Sequence, residues 1–159
     1  LAEWYGGVDR ETAKTITFRL LYGGLDETGR QIPFFAQTET FISKTFRDYV
    51  IQGKLTTPLL KRDIPFERIG ADAGEQKVFN YFLQALETEV NYHKMGEIFE
   101  WMGIKKSRFI LYNYDSFLFD VHPDERKDVI TGVSHILEQG GFPVKIYEGL
   151  DYDKMEVLS

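Results

Sequence analysis

Residues 9–24, DRETAKTITFRLLYGG, carry the pattern that most constrains the fold of this chain. Asp9 can cap the start of a helix, the interior has no Gly or Pro, and Gly23 and Gly24 can end it. The stretch therefore predicts an α-helix. Side chains at intervals of four form one row along such a helix. That row consists of Arg10, Lys14, Phe18 and Tyr22.

This row offers two cations, then an aromatic face, then a second aromatic ring with a hydroxyl. A nucleoside triphosphate has a matching shape, with phosphates on Arg10 and Lys14 and a ring against Phe18 and Tyr22. The alternative is an ordinary amphipathic helix, with both aromatic side chains in a core and the cations in solvent. The chemistry of the residues by itself favours this alternative.

The spacing R-x3-K-x3-F-x3-Y-G resembles motif B of the family A DNA polymerases, the group of bacterial DNA polymerase I and its phage relatives. In that family the motif lies on the fingers helix that closes over the incoming dNTP. The resemblance implies that Arg10 and Lys14 bind the triphosphate and that Lys14 takes part in catalysis. It also implies that Phe18 and Tyr22 stack near the nascent base pair, with Tyr22 contacting nucleic acid.

The composition of the chain limits the kinds of partner and the compartment that we expect for it. It has 159 residues, 43% of them hydrophobic, enough for one modest domain with a core. There is no uncharged apolar stretch of about 18 residues, so we expect no membrane contact. A net charge of −6 argues against a free-standing nucleic-acid binder. Either the basic surface is local, or another segment supplies most phosphate contacts. With no Cys, a reducing compartment fits, and we expect the cytoplasm, that of the host for a phage protein.

Apolar periodicity and the positions of Gly and Pro predict the remaining elements. They are a loop over 24–33, a helix over 34–51, a small hairpin or two short extended pieces within 54–70, a long helix over 72–102, two strands within 107–121 joined by a tight turn, a helix from Pro123 to about Gln139, and a strand over 143–149. Asp72 is the expected cap of the long helix, and Gly96 is its expected interruption.

The turn between the two predicted strands reads Tyr114-Asp115-Ser116. An acid at such a position is usually a plain turn residue. The strand-turn-strand also resembles motif C of family A polymerases, whose turn reads His-Asp-Glu. The resemblance implies that Asp115 is one of two carboxylates that hold two catalytic Mg²⁺ ions, and that Tyr114, in place of His, contacts DNA. Ser116 stands in place of the second acid.

A third likeness lies on the long predicted helix. FNYFLQALETEV, residues 79–90, resembles the family pattern F-N-x-x-x-Q-G-x-x-A-D. It implies that Asn80 and Gln84 face the minor groove of the primer-template, where acceptors look alike for every correct pair. The alternative is an amphipathic helix with two polar residues at its rim. Ala85 departs from the pattern.

Together the motifs occur in the family's order, with separations suited to a compact phage member. The resemblance implies an α+β fold, with a helical fingers segment over 1–70 and half of the antiparallel palm sheet of a polymerase right hand over 71–159. Motif A, with the other metal-binding Asp, is expected N-terminal to Leu1 or on a separate chain. The implied function is template-directed DNA synthesis, active only with that N-terminal half. Its partners are dNTP, primer-template DNA and that half.

Two other interpretations stay open. The first is a non-catalytic binding or scaffold subunit that keeps the polymerase-like fold; the altered turn at Ser116 and the acidic net charge favour it. The second is a nucleotide-binding module unrelated to polymerases.

Overall fold

Helices dominate the chain, and short antiparallel strand pairs accompany them, which confirms the predicted α+β class. The structure is a computed structural model that describes residues 6–158. Its helices are α1 Arg10–Gly23, α2 Glu27–Arg30, α3 Pro33–Gln52, α4 Phe66–Ile69, α5 Glu75–Met102 and α6 Arg126–Glu138. Its strands are β1 Lys54–Thr56, β2 Asp63–Pro65, β3 Arg108–Asn113, β4 Ser116–Asp120, β5 Tyr147–Glu148 and β6 Glu156–Val157. Within the described residues, no helix is both long and apolar enough to cross a membrane.

The first helix forms as predicted. The Asp9 carboxylate accepts the backbone N–H groups of Glu11 and Thr12, each at 3.0 Å, which satisfies two of the donors that a helix start leaves unpaired. Gly24 follows the helix with a φ of 91°, a value that L side chains rarely adopt. The buried face of α1 consists of Ala13, Thr17 and Leu20.

Two short helices were missed between residues 24 and 70. The predicted loop contains α2, because the Asp26 carboxylate accepts the Gly29 N–H at 2.7 Å and caps a single turn. The predicted hairpin is confirmed as β1 paired with β2, with Leu55 opposite Ile64, but α4 follows it directly. The helix expected over 34–51 is confirmed as α3.

Two details of the long helix were wrong. Helix α5 begins at Glu75 rather than beside Asp72, since Gly70 adopts a φ of 108° and the chain turns again before the helix starts. Gly96 does not interrupt α5. An isolated glycine costs a helix only about 1 kcal/mol, and the side chains around it supply tertiary packing.

The chain divides into two compact units, one up to Glu89 and one from Val90 onward. The predicted division at residue 70 is a division by function, between a fingers segment and a palm segment, and it stays a prediction. The core of the first unit consists of Ile42, Tyr49, Leu55, Ile64, Ile69, Ala73, Val78, Phe79, Phe82 and Ala85. The core of the second unit consists of Ile98, Met102, Val129, Val133 and Ile136.

In the second unit, β3 and β4 pair as predicted, with Asn113 opposite Ser116 and an irregularity between Phe109 and Leu111.

A 3₁₀ turn at Pro123–Glu125 precedes α6. Glu125 accepts the N–H groups of Lys106 at 2.9 Å and Ser107 at 2.8 Å. These bonds, that of Lys106 first, lower the pKa of Glu125 to about 2, so the carboxylate ties the start of β3 to the start of α6 at neutral pH.

One glycine in α6 is required by packing. A Cβ at Gly132 would lie 2.1 Å from a ring atom of Trp101, a distance that no side-chain carbon can adopt. The indole of Trp101 therefore packs directly on the helix backbone.

The predicted strand over 143–149 is wrong in length. Pairing is restricted to Tyr147 and Glu148, opposite Val157 and Glu156. Pro143 cannot donate a ladder hydrogen bond, which removes the first part of the expected strand. The Glu148 carboxylate accepts hydrogen bonds from Nε and from one terminal nitrogen of the Arg126 guanidinium, so β5 is tied to α6.

A buried carboxylate organises the loop of the first hairpin. Glu89 is fully buried; it accepts the Thr57 hydroxyl and the Leu60 N–H, the latter at 3.1 Å. Arg62 Nε lies 3.9 Å from the same carboxylate. Burial raises the pKa of Glu89, but the hydrogen bonds from Thr57 and the loop backbone, with the charge of Arg62, outweigh it and lower the pKa overall. Glu89 is therefore ionised at neutral pH.

Replacing this carboxylate should destabilise the first unit. Glu89→Gln places an amide nitrogen among donors and is expected to lower the free energy of unfolding by about 1–3 kcal/mol at pH 7. The loss should shrink as the pH falls below 4.5, because a group with a lowered folded pKa stabilises only while it is ionised. Urea unfolding followed by circular dichroism measures it. The matched control is Glu87→Gln, an exposed residue of the same helix; equal stability of the two variants would contradict the assignment.

Candidate functional site

The row on α1 faces solvent. Arg10, Lys14, Phe18 and Tyr22 are all exposed, with 46% of Phe18 and 42% of Tyr22 accessible. Small and aliphatic side chains on the opposite face fill the core instead. The alternative in which both aromatic rings pack into a core is therefore wrong. The binding role of the row stays a prediction.

Within the row, neighbouring side chains contact one another. Lys14 Nζ lies 5.7 Å from the centre of the Phe18 ring, within the range of a cation–π contact. The rings of Phe18 and Tyr22 lie 5.8 Å apart and are tilted by 39°. The result is a continuous strip that begins with a cation and ends with two aromatic faces, one bearing a hydroxyl.

The charge at the start of the row is mixed. Arg10 lies 3.5 Å from Glu11, and both side chains are more than 70% exposed, so solvent screens the pair and a ligand phosphate can compete for the guanidinium. Asp9 adds a second carboxylate, and the hydrogen bonds from Thr12 lower its pKa. Among the described residues, Lys14 has no carboxylate partner. Lys14 is therefore the cation of this row best placed for a phosphate.

Asp115 lies at the exposed tip of the second hairpin. Tyr114 and Asp115 form a two-residue turn between β3 and β4, as predicted. Tyr114 is 84% exposed and has a φ of 54°, in the left-handed region. The Ser116 hydroxyl donates to the Asn113 carbonyl at 2.9 Å and closes the turn. Both predicted functional side chains of the turn are thus presented to solvent.

The two amides on α5 differ in accessibility. Gln84 is exposed and free to contact a nucleic-acid groove. Asn80 is half-buried, and its Oδ1 atom is buried with no hydrogen-bond partner within residues 6–158. A groove contact from Asn80 would therefore have to use its amide nitrogen. The roles of both residues stay predictions.

The predicted residues fall into groups. One group lies in the first unit. It consists of the row on α1 together with Asn80 and Gln84, which share helix α5. The other group is Tyr114 and Asp115 in the second unit. Sequence reasoning missed Asn91 of α5, whose amide nitrogen contacts the turn at Tyr114. Its signal is its place two turns after Gln84 on the same helix.

The described residues provide only part of a magnesium site. Asp115 offers the oxygen ligand that Mg²⁺ prefers. Across residues 6–158, however, no group of three or more His, Asp or Glu side chains could hold a metal ion. The described residues thus do not form a complete site for two ions, and Mg²⁺ stays a proposal that needs carboxylates from elsewhere.

Comparison with known proteins gives a likeness in fold. No known family profile matches this sequence. The structure is similar to that of the POL domain of Pol1 from M. smegmatis, solved in complex with DNA primer-template and dNTP. The TM-score is 0.63 at 16% identity, over 85% of this chain and 28% of that chain. The predicted polymerase-like fold is therefore confirmed for a segment of the domain.

A second likeness is in sequence and covers less of the chain. The chain is 30% identical over 83 residues to S-adenosylmethionine:tRNA ribosyltransferase-isomerase from Zymomonas mobilis, which is 52% of this chain and 24% of that enzyme. The chain thus spans about a quarter of the length of each of these two proteins. The fold of a polymerase segment is what the comparisons establish.

Proposed function

We propose that this chain is part of a family A, phage-type, template-directed DNA polymerase, in which α1 binds the incoming dNTP and the β3–β4 turn supplies one catalytic carboxylate. The observation that carries the proposal is the solvent-facing row of Arg10, Lys14, Phe18 and Tyr22. This row lies in a fold similar to a polymerase domain that was solved with primer-template and dNTP.

The order of side chains along α1 matches the two ends of a nucleotide. Lys14, with Arg10 beside it, would bind phosphate oxygens through charge-assisted hydrogen bonds. The rings of Phe18 and Tyr22 would lie along the base and sugar. A cation fixed in place before the reaction stabilises the charge that develops on the leaving phosphates, which is the usual source of catalysis in phosphoryl transfer.

Asp115 would be one of the carboxylates of a magnesium site that a second segment completes. Two-metal phosphoryl transfer needs ligands that hold two ions about 3.5–4 Å apart, and a single exposed carboxylate cannot do that. The other carboxylate would come from a motif A segment outside residues 6–158, in the same or another polypeptide. Activity would therefore require that segment.

DNA would be contacted by Gln84 and Tyr114, both of which are exposed polar side chains, and by the amide nitrogen of Asn80. An amide suits the minor groove because correct base pairs present similar acceptors there. Since the chain has a net charge of −6, most of the phosphate contacts that give affinity for DNA would come from the rest of the polymerase.

A non-catalytic scaffold subunit is the second candidate. The observation that favours it is the turn itself, where Ser116 stands beside Asp115 and no second acid follows. A scaffold would keep the fold and the DNA contacts but would need neither Asp115 nor the cations of α1.

Primer extension separates the two candidates. The natural full-length protein or assembly is expected to extend a primed template, and Asp115→Asn is expected to abolish extension. The side chain is exposed at a turn and the replacement has the same shape, so folding should be unchanged. The matched control is Asp153→Asn, an exposed acid near the C-terminus of the same unit. Full activity of Asp115→Asn would contradict a catalytic role.

Replacing Lys14 tests the nucleotide helix. Lys14→Ala should slow incorporation by about 100- to 1,000-fold, because one preorganised contact to the reacting group is lost. Single-turnover incorporation kinetics measure the rate. Lys44→Ala removes another exposed cation, from α3, and should leave the rate unchanged. If both variants lose the same activity, general electrostatic attraction explains the effect and the row on α1 is not the dNTP site.

A further inference from the structure

Asn91 of α5 contacts the turn that carries Asp115. Its Nδ2 atom donates to the Tyr112 hydroxyl at 3.0 Å and to the Tyr114 carbonyl at 3.4 Å. The first bond reaches the strand that enters the turn, and the second reaches the residue directly before Asp115. All four residues belong to the same compact unit.

The chemistry of the partners fixes the orientation of this amide. A backbone carbonyl only accepts hydrogen bonds, so the nitrogen of Asn91, and not its oxygen, must face Tyr114. An amide nitrogen carries two hydrogens, which is the number that these two acceptors require. Asn91 is half-buried, which limits the competition of water for these bonds.

The turn needs such support because of its backbone. Tyr114 has a φ of 54°, which glycine adopts freely and a bulky residue rarely does. Tyr114 is also 84% exposed, so its own ring packs little against the protein. A hydrogen bond to the Tyr114 carbonyl therefore stabilises a backbone conformation that a tyrosine rarely adopts.

Tyr112, the other partner of Asn91, is held by neighbouring rings. Its ring centre lies 5.1 Å from that of Phe117 on β4 and 6.0 Å from that of Tyr92 on α5. The hydroxyl is thus fixed by packing, and it in turn anchors the amide that contacts the turn.

We propose that Asn91 is a positioning residue, which holds Tyr114 in its left-handed conformation through paired bonds to Tyr112 and Tyr114 and so aims the carboxylate of Asp115, the next residue of the turn. The catalytic role of Asn91 rests on the proposed function. Its effect on the conformation of the turn is independent of that function.

Hydrogen exchange of the 159-residue chain, read by NMR, tests the conformational step. Asn91→Leu keeps the size of the side chain and removes the donor. We expect the amides at the turn, those of Asn113 and Ser116, to exchange about tenfold faster, as for the loss of one net hydrogen bond. Amides at the open end of the hairpin, at Arg108 and Asp120, should be unchanged.

Paired tyrosine variants provide the control. Tyr112→Phe removes one acceptor of Asn91 and should reproduce part of the effect. Tyr92 contacts Tyr112 through its ring and not through its hydroxyl. Tyr92→Phe removes only that hydroxyl and should leave the turn unchanged. Unchanged exchange in Asn91→Leu, or equal acceleration at both ends of the hairpin, would overturn the proposal.

Kinetics in the natural full-length protein test the catalytic step. Asn91→Leu should lower kcat for primer extension by about tenfold, as does the loss of one hydrogen bond, while the KM for dNTP stays the same. A local change in exchange with an unchanged kcat would overturn the positioning role. If the unmodified protein extends no primer, the proposed polymerase function fails, whereas the exchange measurement still decides whether Asn91 locks the turn.

Discussion

The packing of helix α5 is the constraint on which most of the structure depends. One face near its start contributes Val78, Phe79 and Phe82 to the core of the first unit, and its end contributes Ile98 and Met102 to the core of the second. Between these, the same helix carries polar side chains that fix local geometry. Glu89 holds the loop of the first hairpin and Asn91 holds the turn of the second. A change in the packing of either end of α5 would therefore disturb the core and the turn of the unit to which that end belongs.

Helix α1 shows how burial on one face leaves the other free for function. Its small and aliphatic face, Ala13, Thr17 and Leu20, is buried, and α1 starts on a side-chain cap. The aromatic and cationic row is consequently not needed for the core. Exposed aromatic rings on a stable helix carry a cost in solvation, and a nucleotide that stacks on them would offset it. This argument favours a binding role over a structural one for Phe18 and Tyr22.

Sequence reasoning was most successful where a local pattern determines the structure. The row on α1 follows from its spacing of four, and the turn at Asp115 follows from two apolar strands around Tyr114-Asp115-Ser116. It failed where distant residues decide. Asn91 bonds to Tyr112 and Tyr114, more than twenty positions away, and its place two turns after Gln84 indicates its helix face but not these partners. The length of the C-terminal strand likewise depends on pairing with β6, which apolar alternation cannot reveal.

Electrostatics assign different tasks to the acids of this chain. Glu89 and Glu125 accept backbone N–H groups, which lower their pKa values and make them structural anions. Asp115 instead lies exposed at a tip. A carboxylate that makes no structural bond within residues 6–158 is suited to a ligand. An incomplete set of metal ligands explains why the proposed activity needs another segment.

Photo-crosslinking tests the central claim, that α1 forms the dNTP site, most directly. The natural full-length protein would be irradiated with primer-template and a photoreactive dNTP, and the modified peptide identified by mass spectrometry. The account predicts an adduct within Arg10–Gly23, at Phe18 or Tyr22, that unlabelled dNTP suppresses. An adduct that dNTP suppresses equally well but that lies outside α1, with none on the row, would contradict it.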